Sequence, residues 1–157
     1  MDHCTEPDCV NLYFQNINAA RDKLIILAKI LKSFEIVCVV EQQLSGVNSN
    51  QLDVSCKHKF FICPARITGG RPSGGIMIGV NNSLECVLLE TNDTFVVVDL
   101  GHIVILAVYM PTNYRNEQSN ERFAKACARV SKISHKIRAS GKAILLCGDQ
   151  TVRGNEL

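Results

Sequence analysis

The sequence predicts a single layered α/β domain with a mixed sheet. Three observations carry this. Two long apolar strand-like runs, Ile36–Val40 and Ala143–Cys147, each follow a helical pattern with one apolar face. Between them lie several short strands separated by tight-turn signals, which read as a meander. The 157 residues suffice for one sizeable core and are too few for two ordinary domains.

Each element has its own reason. Val10–Gln15 reads as a strand ending in the polar Asn16-Ile17-Asn18. Arg21–Phe34 places Leu24, Leu27, Ala28, Leu31 and Phe34 on one helical face. Ile36–Val40 is a continuous apolar strand ending at Glu41. The polar, Gly- and Asn-containing stretch Gln42–Ser55 is a loop. Lys59–Pro64 is a short strand. Thr68–Gly75 is a flexible loop that feeds the strand Ile76–Val80.

After the turn Asn81-Asn82, the strands Leu84–Glu90, Phe95–Leu100 and Ile103–Tyr109 form a meander with turns at Asn92-Asp93 and Gly101-His102. Pro111–Ser119 is loop. Asn120 is the expected N-cap of a long helix to about Ala139, whose stripe is Phe123, Ala126, Cys127, Val130, Ile133 and Ile137. Gly141 stops that helix. Residues 1–9 form a tail and 10–157 the domain.

Composition excludes several classes. With 46% hydrophobic and 20% charged residues, the chain is neither disordered nor collagenous. Lys and Arg exceed Asp and Glu by only two charges, so bulk charge alone does not hold nucleic acid here. No apolar run approaches the roughly 18–20 residues of a membrane-spanning helix, and Met1–Asp8 lacks the features of a signal peptide. No membrane association is expected. The eight cysteines include no CxxC pair. Cys38, Cys63, Cys86 and Cys147 sit in or beside strands, and Cys127 sits on a helix stripe, where a thiol acts as a small buried hydrophobe. Cys4–Cys9 with His3 is a weak zinc cue without a second ligand pair. An intracellular, reducing compartment, cytoplasm or nucleus, is expected.

Four polar residues each close an apolar strand: Asn16, Glu41, Tyr109 and Asp149. In open α/β sheets, ligands bind beyond the carboxyl ends of strands. If these strands are neighbours and run the same way, an amide, a phenol and two carboxylates converge in one cleft. Such hard oxygen donors suit Mg²⁺ or Mn²⁺, and Mg²⁺ held by one or two carboxylates typically handles phosphate esters.

Around these positions stand Asn16-Ile17-Asn18, Val39-Val40-Glu41, Gly74-Gly75-Ile76-Met77-Ile78, Val108-Tyr109-Met110-Pro111 and Cys147-Gly148-Asp149, in that order. This series resembles the endonuclease/exonuclease/phosphatase superfamily. Within it, the Asn-x-Asn start, the Gly-Gly strand and the Tyr-x-Pro turn are similar to the apurinic/apyrimidinic-type endonuclease domains of non-LTR retrotransposons. The resemblance spans Val10 to about Thr151 and matches the N-terminal part of the family domain. It implies a DNase I-like fold: a truncated α/β sandwich with mixed, mostly antiparallel sheets flanked by helices.

The resemblance also implies roles. Glu41 would ligate a divalent cation, Mg²⁺ or Mn²⁺, with Asn16 orienting it and helping to hold the metal. Tyr109 would donate to the phosphate, and Asp149 would orient or deprotonate the attacking water. Thr151 stands where the family has Asn, because Gly148-Asp149-Gln150-Thr151 replaces Gly-Asp-Phe-Asn. Asn113, Arg115 and Arg71 are candidate contacts to substrate. The implied reaction is metal-dependent phosphodiester hydrolysis on DNA, in a polyprotein that carries a reverse-transcriptase domain downstream.

The family's late Asp-His pair has no counterpart here. No Ser-Asp-His occurs, and His3, His58, His102 and His135 read as surface or turn residues. The alternatives are a catalytically inactive fragment or binding module of the same fold, and a phosphatase or deadenylase of the superfamily. The basic residues on the long helix (Arg122, Lys125, Arg129, Lys132, Lys136 and Arg138) read as a solvated face.

Overall fold

The computed structural model describes residues 10–18, 20, 23–43, 57–68, 70–110 and 117–149. Its elements in chain order are β1 (Leu12–Asn16), α1 (Leu24–Ser33), β2 (Ile36–Val40), β3 (His58–Cys63), β4 (Arg66–Thr68), β5 (Arg71–Ser73), β6 (Ile76–Asn81), β7 (Val87–Thr91), β8 (Phe95–Asp99), β9 (Ile103–Tyr109), α2 (Glu117–Ala139) and β10 (Ala143–Asp149).

Two four-stranded sheets result, ordered β1-β2-β6-β3 and β10-β9-β8-β7, with β4 and β5 forming a separate hairpin. Each sheet contains one parallel pair: β1 with β2, joined through α1, and β9 with β10, joined through α2. The remaining pairs are antiparallel. Antiparallel neighbours need only turns, whereas a parallel pair needs a crossover, which each helix supplies.

The period-2 alternation of strand side chains explains the layering. Ile36, Cys38, Val40, Ile76, Ile78 and Val80 of one sheet face Val96, Val98, Ile105, Ala107 and Cys147 of the other. The intervening residues Val37, Val39 and Met77 point outward under α1, against Leu27 and Leu31. On the far side Phe95, Val97, Val104, Leu106 and Val108 pack under α2 against Ile137. The order of layers is helix, sheet, sheet, helix. Strands β2 and β8 are central and covered on both faces, hence their unbroken apolar runs. This is the mixed, mostly antiparallel α/β sandwich that the sequence predicts. Among the described residues no helix is long and apolar enough to cross a membrane.

Several local expectations are corrected. The second helix already includes Glu117, so Asn120 lies within it and is not its N-cap. Leu84–Cys86 is not strand: Asn81 ties a turn there, its carbonyl accepting from Leu84 N (2.9 Å) and its side chain from Ser83 N (3.0 Å). The strand that follows is a sheet edge with a register shift at Leu88/Glu90, and its Val87, Leu88 and Leu89 are exposed. The expected loop over residues 68–75 overlaps the β4–β5 hairpin, contributing its turn, the end of β4 and all of β5. Cys127 is exposed rather than buried. His58 is buried, its Nε2 2.9 Å from the Phe34 carbonyl oxygen, because it opens β3 beneath the end of α1. His102 and His135 are exposed, as expected, and His3 lies outside the described residues.

Candidate functional site

The parallel pairs decide where strand ends lie. In the first, Asn16 is level with Val40, so the residue after β2, Glu41, emerges beside the end of β1. In the second, Asp149 is level with Tyr109. The two edges coincide: Tyr109 Oη donates a hydrogen bond to Glu41 Oε1 from one sheet to the other. The four strand-closing residues thus share one end of the sandwich.

The loops that follow β1 and β2 are stitched together by main-chain bonds. Ile17 N donates to Val40 O (3.2 Å), and Ala20 N donates to Gln42 O (2.9 Å). Asn16 Oδ1 accepts from Asn18 N at 3.1 Å, an Asx turn that fixes the Asn16 amide. Gln43 Nε2 donates to Asn18 Oδ1 at 3.1 Å. Three non-glycine residues here have left-handed backbones: Asn18 (φ 40°), Glu41 (φ 53°) and Gln43 (φ 51°). That conformation is disfavoured for a Glu or Gln and persists only where neighbouring contacts impose it, which is common at functional sites.

Tyr109 is held from two sides. Its N–H donates to Thr94 O (2.8 Å). Thr94 belongs to a turn closed by Asn92, whose Oδ1 accepts from Thr94 N (2.8 Å) and Phe95 N (3.0 Å). Its ring lies over Gly74, where a Cβ would sit 3.1 Å from Cε1 and 3.3 Å from Cδ1. Gly74 and Gly75 both have positive φ (74° and 93°), so this pair supplies both the turn and the clearance. The β4 hairpin closes on the same edge through an ion pair of Arg66 with Asp93.

Of the sequence-predicted residues, Glu41 and Tyr109 meet through their side chains, Asn16 is placed next to them by the register of β1 on β2, and Asp149 is placed by its backbone as the last residue of β10. Arg71 lies on β5 opposite Thr68, also a backbone placement. Asn113, Arg115 and Thr151 lie outside the described residues. Sequence reasoning missed Gln42, which is fully buried at this edge. A Gln after a strand reads as loop, and only the adjacent left-handed turn marks it.

The donors fit a hard divalent cation. Glu41 is a half-buried carboxylate beside an amide with a fixed oxygen, and Mg²⁺ accepts one or two carboxylates with waters completing its shell. Among the described residues no group of three or more His, Cys, Asp and Glu side chains is placed to hold a metal ion.

No protein-family profile and no curated protein matches the sequence. Solved structures do match. The catalytic domain of Xenopus laevis APE2 superposes with a TM-score of 0.71 at 12% identity, covering 94% of this chain and 60% of that one. The 3′-5′ exonuclease NExo from Neisseria meningitidis gives 0.67 at 11% identity, covering 90% and 58%. The 3′ phosphatase NExo from Neisseria, bound to a product DNA hairpin, gives 0.61 at 11%, covering 94% and 60%. The chain therefore spans about three fifths of the length of these relatives. Two four-stranded sheets between two helices, with the strand-closing residues at one edge, give this chain the DNase I-like fold in truncated form.

Proposed function

We propose that this chain carries the metal-binding part of a phosphodiester-hydrolysing site that acts on DNA, of the endonuclease type found in non-LTR retrotransposons. The observation that carries the reading is the Glu41–Tyr109 pair at the shared carboxyl edge of the two sheets. A carboxylate on a strained turn and a phenol donor are positioned there by main-chain bonds that are independent of any ligand. Three structural neighbours named as a nuclease, a phosphatase and a catalytic domain, one of them holding a DNA product, support the substrate class. The motifs Asn16-Ile17-Asn18, Gly74-Gly75 and Tyr109-Met110-Pro111 support the retroelement type and, with it, a downstream reverse-transcriptase domain. The free thiols of the core support a reducing, intracellular setting.

Glu41 and Asn16 hold a Mg²⁺ or Mn²⁺ ion. When bound, the ion supplies Lewis acidity at a phosphoryl oxygen. Tyr109 Oη turns from Glu41 to a non-bridging phosphate oxygen and donates to the charge that builds there. Asp149 accepts a proton from the attacking water as the water oxygen bonds to phosphorus, and the leaving oxygen departs with the bonding pair and takes up a proton from solvent. The Thr151 hydroxyl donates to a phosphate oxygen. Arg71, Asn113 and Arg115 contact the DNA backbone, which positions the duplex without reading its bases.

A second reading is a DNA-binding module that does not cleave. It is favoured by Gln150-Thr151 at the place of an aromatic and an Asn. Nicking of supercoiled plasmid decides between them. Mg²⁺-dependent nicking, abolished by chelator and by Glu41→Ala, is expected. Mg²⁺-dependent plasmid binding without nicking overturns hydrolysis in favour of the module, and nicking unchanged by Glu41→Ala overturns the assignment of the site.

A further inference from the structure

We propose that Gln42 is the positioning residue of this site: its buried amide, threaded over Gly75 to the end of β3, locks the turn that aims Glu41 at Tyr109. The inference rests on the metal-holding role of Glu41 for its consequence, though not for its geometry.

In the order β2-β6-β3, the first and third strands are separated by β6. Gln42 lies just past β2, yet its Nε2 donates to the carbonyl of Cys63, the last residue of β3, at 3.0 Å. The side chain therefore spans the start of β6. It passes where Gly75 has no side chain: a Cβ there would lie 2.5 Å from Nε2 and 2.8 Å from Cδ. The Gln42 carbonyl accepts from Ala20 N, and the next residue, Gln43, donates its N–H to Gly74 O at 3.0 Å. Gln42 and Gln43 together tie three strand ends and the loop after β1.

The residues on either side of Gln42, Glu41 and Gln43, both have left-handed backbones. Neither has a glycine's freedom, so the conformation is imposed from outside. Gln42 is the buried residue of the three, with 0% of its surface exposed, while Glu41 and Gln43 are half-buried. A buried amide must keep its hydrogen bonds, which makes its position more exacting than that of an apolar side chain. Release Gln42 and the turn relaxes to an ordinary backbone, swinging the Glu41 carboxylate away from Tyr109. Gly74 and Gly75 divide the work: one clears the ring of Tyr109, the other clears the amide that holds Glu41. The chemistry is specific to glutamine. Asn is one methylene short of Cys63 O, Met fills the volume without a donor, and a carboxylate has none to give.

The test uses the full chain labelled with fluorotyrosine, read by fluorine NMR with the Tyr109 resonance assigned by Tyr109→Phe, together with Mn²⁺ titration. Gln42→Met, Gln42→Asn and Gly75→Ala should each move the Tyr109 resonance toward its position in Glu41→Gln. Each should weaken Mn²⁺ binding roughly 10–100-fold, the usual cost of losing a group that orients a metal ligand. Leu31→Ala, a cavity on the opposite face of the first sheet, should lower the melting temperature while leaving both readouts alone. A folded Gln42→Met with the wild-type Tyr109 resonance and wild-type Mn²⁺ affinity overturns the proposal. If the resonance moves while the wild type binds no Mn²⁺, the positioning role stands and the metal-dependent reading fails.

Discussion

Tyr109 and Glu41 join the two sheets at their shared carboxyl edge, the phenol of one donating to the carboxylate of the other. The contact links the end of β9 to the turn after β2. It is half-buried at both ends. Tyr109→Phe keeps the ring over Gly74 and removes only the donor. Loss of a hydrogen bond to a charged, partly solvated acceptor should lower unfolding free energy by about 1 kcal/mol in urea titration. Nicking should fall on the order of 10²–10³-fold, the scale for losing a donor to transition-state charge. Unchanged nicking at unchanged stability would remove Tyr109 from the site.

Gly74 offers a controlled comparison with Gly141. Both have left-handed backbones (φ 74° and 78°), so alanine at either meets the same conformational penalty of roughly 1–2 kcal/mol. Gly141 has open space around its absent side chain, whereas Gly74 has the ring of Tyr109 at 3.1 Å. Gly74→Ala should therefore be more destabilising than Gly141→Ala by about 1 kcal/mol or more. Equal costs would mean that the ring yields freely and that the packing of Tyr109 on glycine is unimportant.

Asp99, at the end of β8, pairs with Lys142 just before β10 and accepts from Gly101 N at 2.8 Å. The Lys142 ammonium, then the Gly101 N–H, hold its carboxyl below the ordinary range. A carboxyl that is more acidic in the folded state contributes stability above its unfolded pKa of about 3.9 and loses it as pH falls through the lower folded value. The stability difference between wild type and Asp99→Asn should thus be constant near neutrality and shrink below about pH 4. A difference that is flat down to pH 2 would deny the pair any role.

Thiol accessibility checks the layering. Cys38 sits between the sheets, where a hydrogen bond with Cys147 and burial push its thiol well up. Cys127 is exposed on α2 and lines a cleft of about 410 Å³ together with Val108, Met110, Val130 and Leu146. The thiolate is the reacting species. Alkylation at neutral pH, read by mass spectrometry, should reach Cys127 well before Cys38, which should react only on unfolding. Early modification of Cys38 would contradict the packing of β2 against β10.

Much of this architecture is legible in the residues. The five consecutive apolar positions of β2 announce a strand covered on both faces, and the stripes at Leu27/Leu31 and Ala126/Ile137 announce helices packed on one side. The closing positions Asn16, Glu41, Tyr109 and Asp149 follow from those runs, because a strand that leaves the core ends in a polar residue. Elements whose fate depends on distant neighbours are harder to read. Leu84 and Cys86 continue an apolar run, yet the side chain of Asn81 captures the main chain into a turn. Val87–Leu89 look like core and lie exposed, because nothing in a local pattern says which strand will be the sheet edge. Gln42 is the clearest case: its burial depends on the Cys63 carbonyl and the bare Gly75, both far away in sequence.

The central claim, that Glu41 holds a divalent cation at the shared strand edge, is tested most directly by titrating the protein with Mn²⁺ and following the free ion by electron paramagnetic resonance. Wild type should bind one ion that Mg²⁺ displaces, and Glu41→Gln, with melting temperature preserved, should lose it. A wild type that binds no Mn²⁺, or a Glu41→Gln that binds it equally well, would contradict the account.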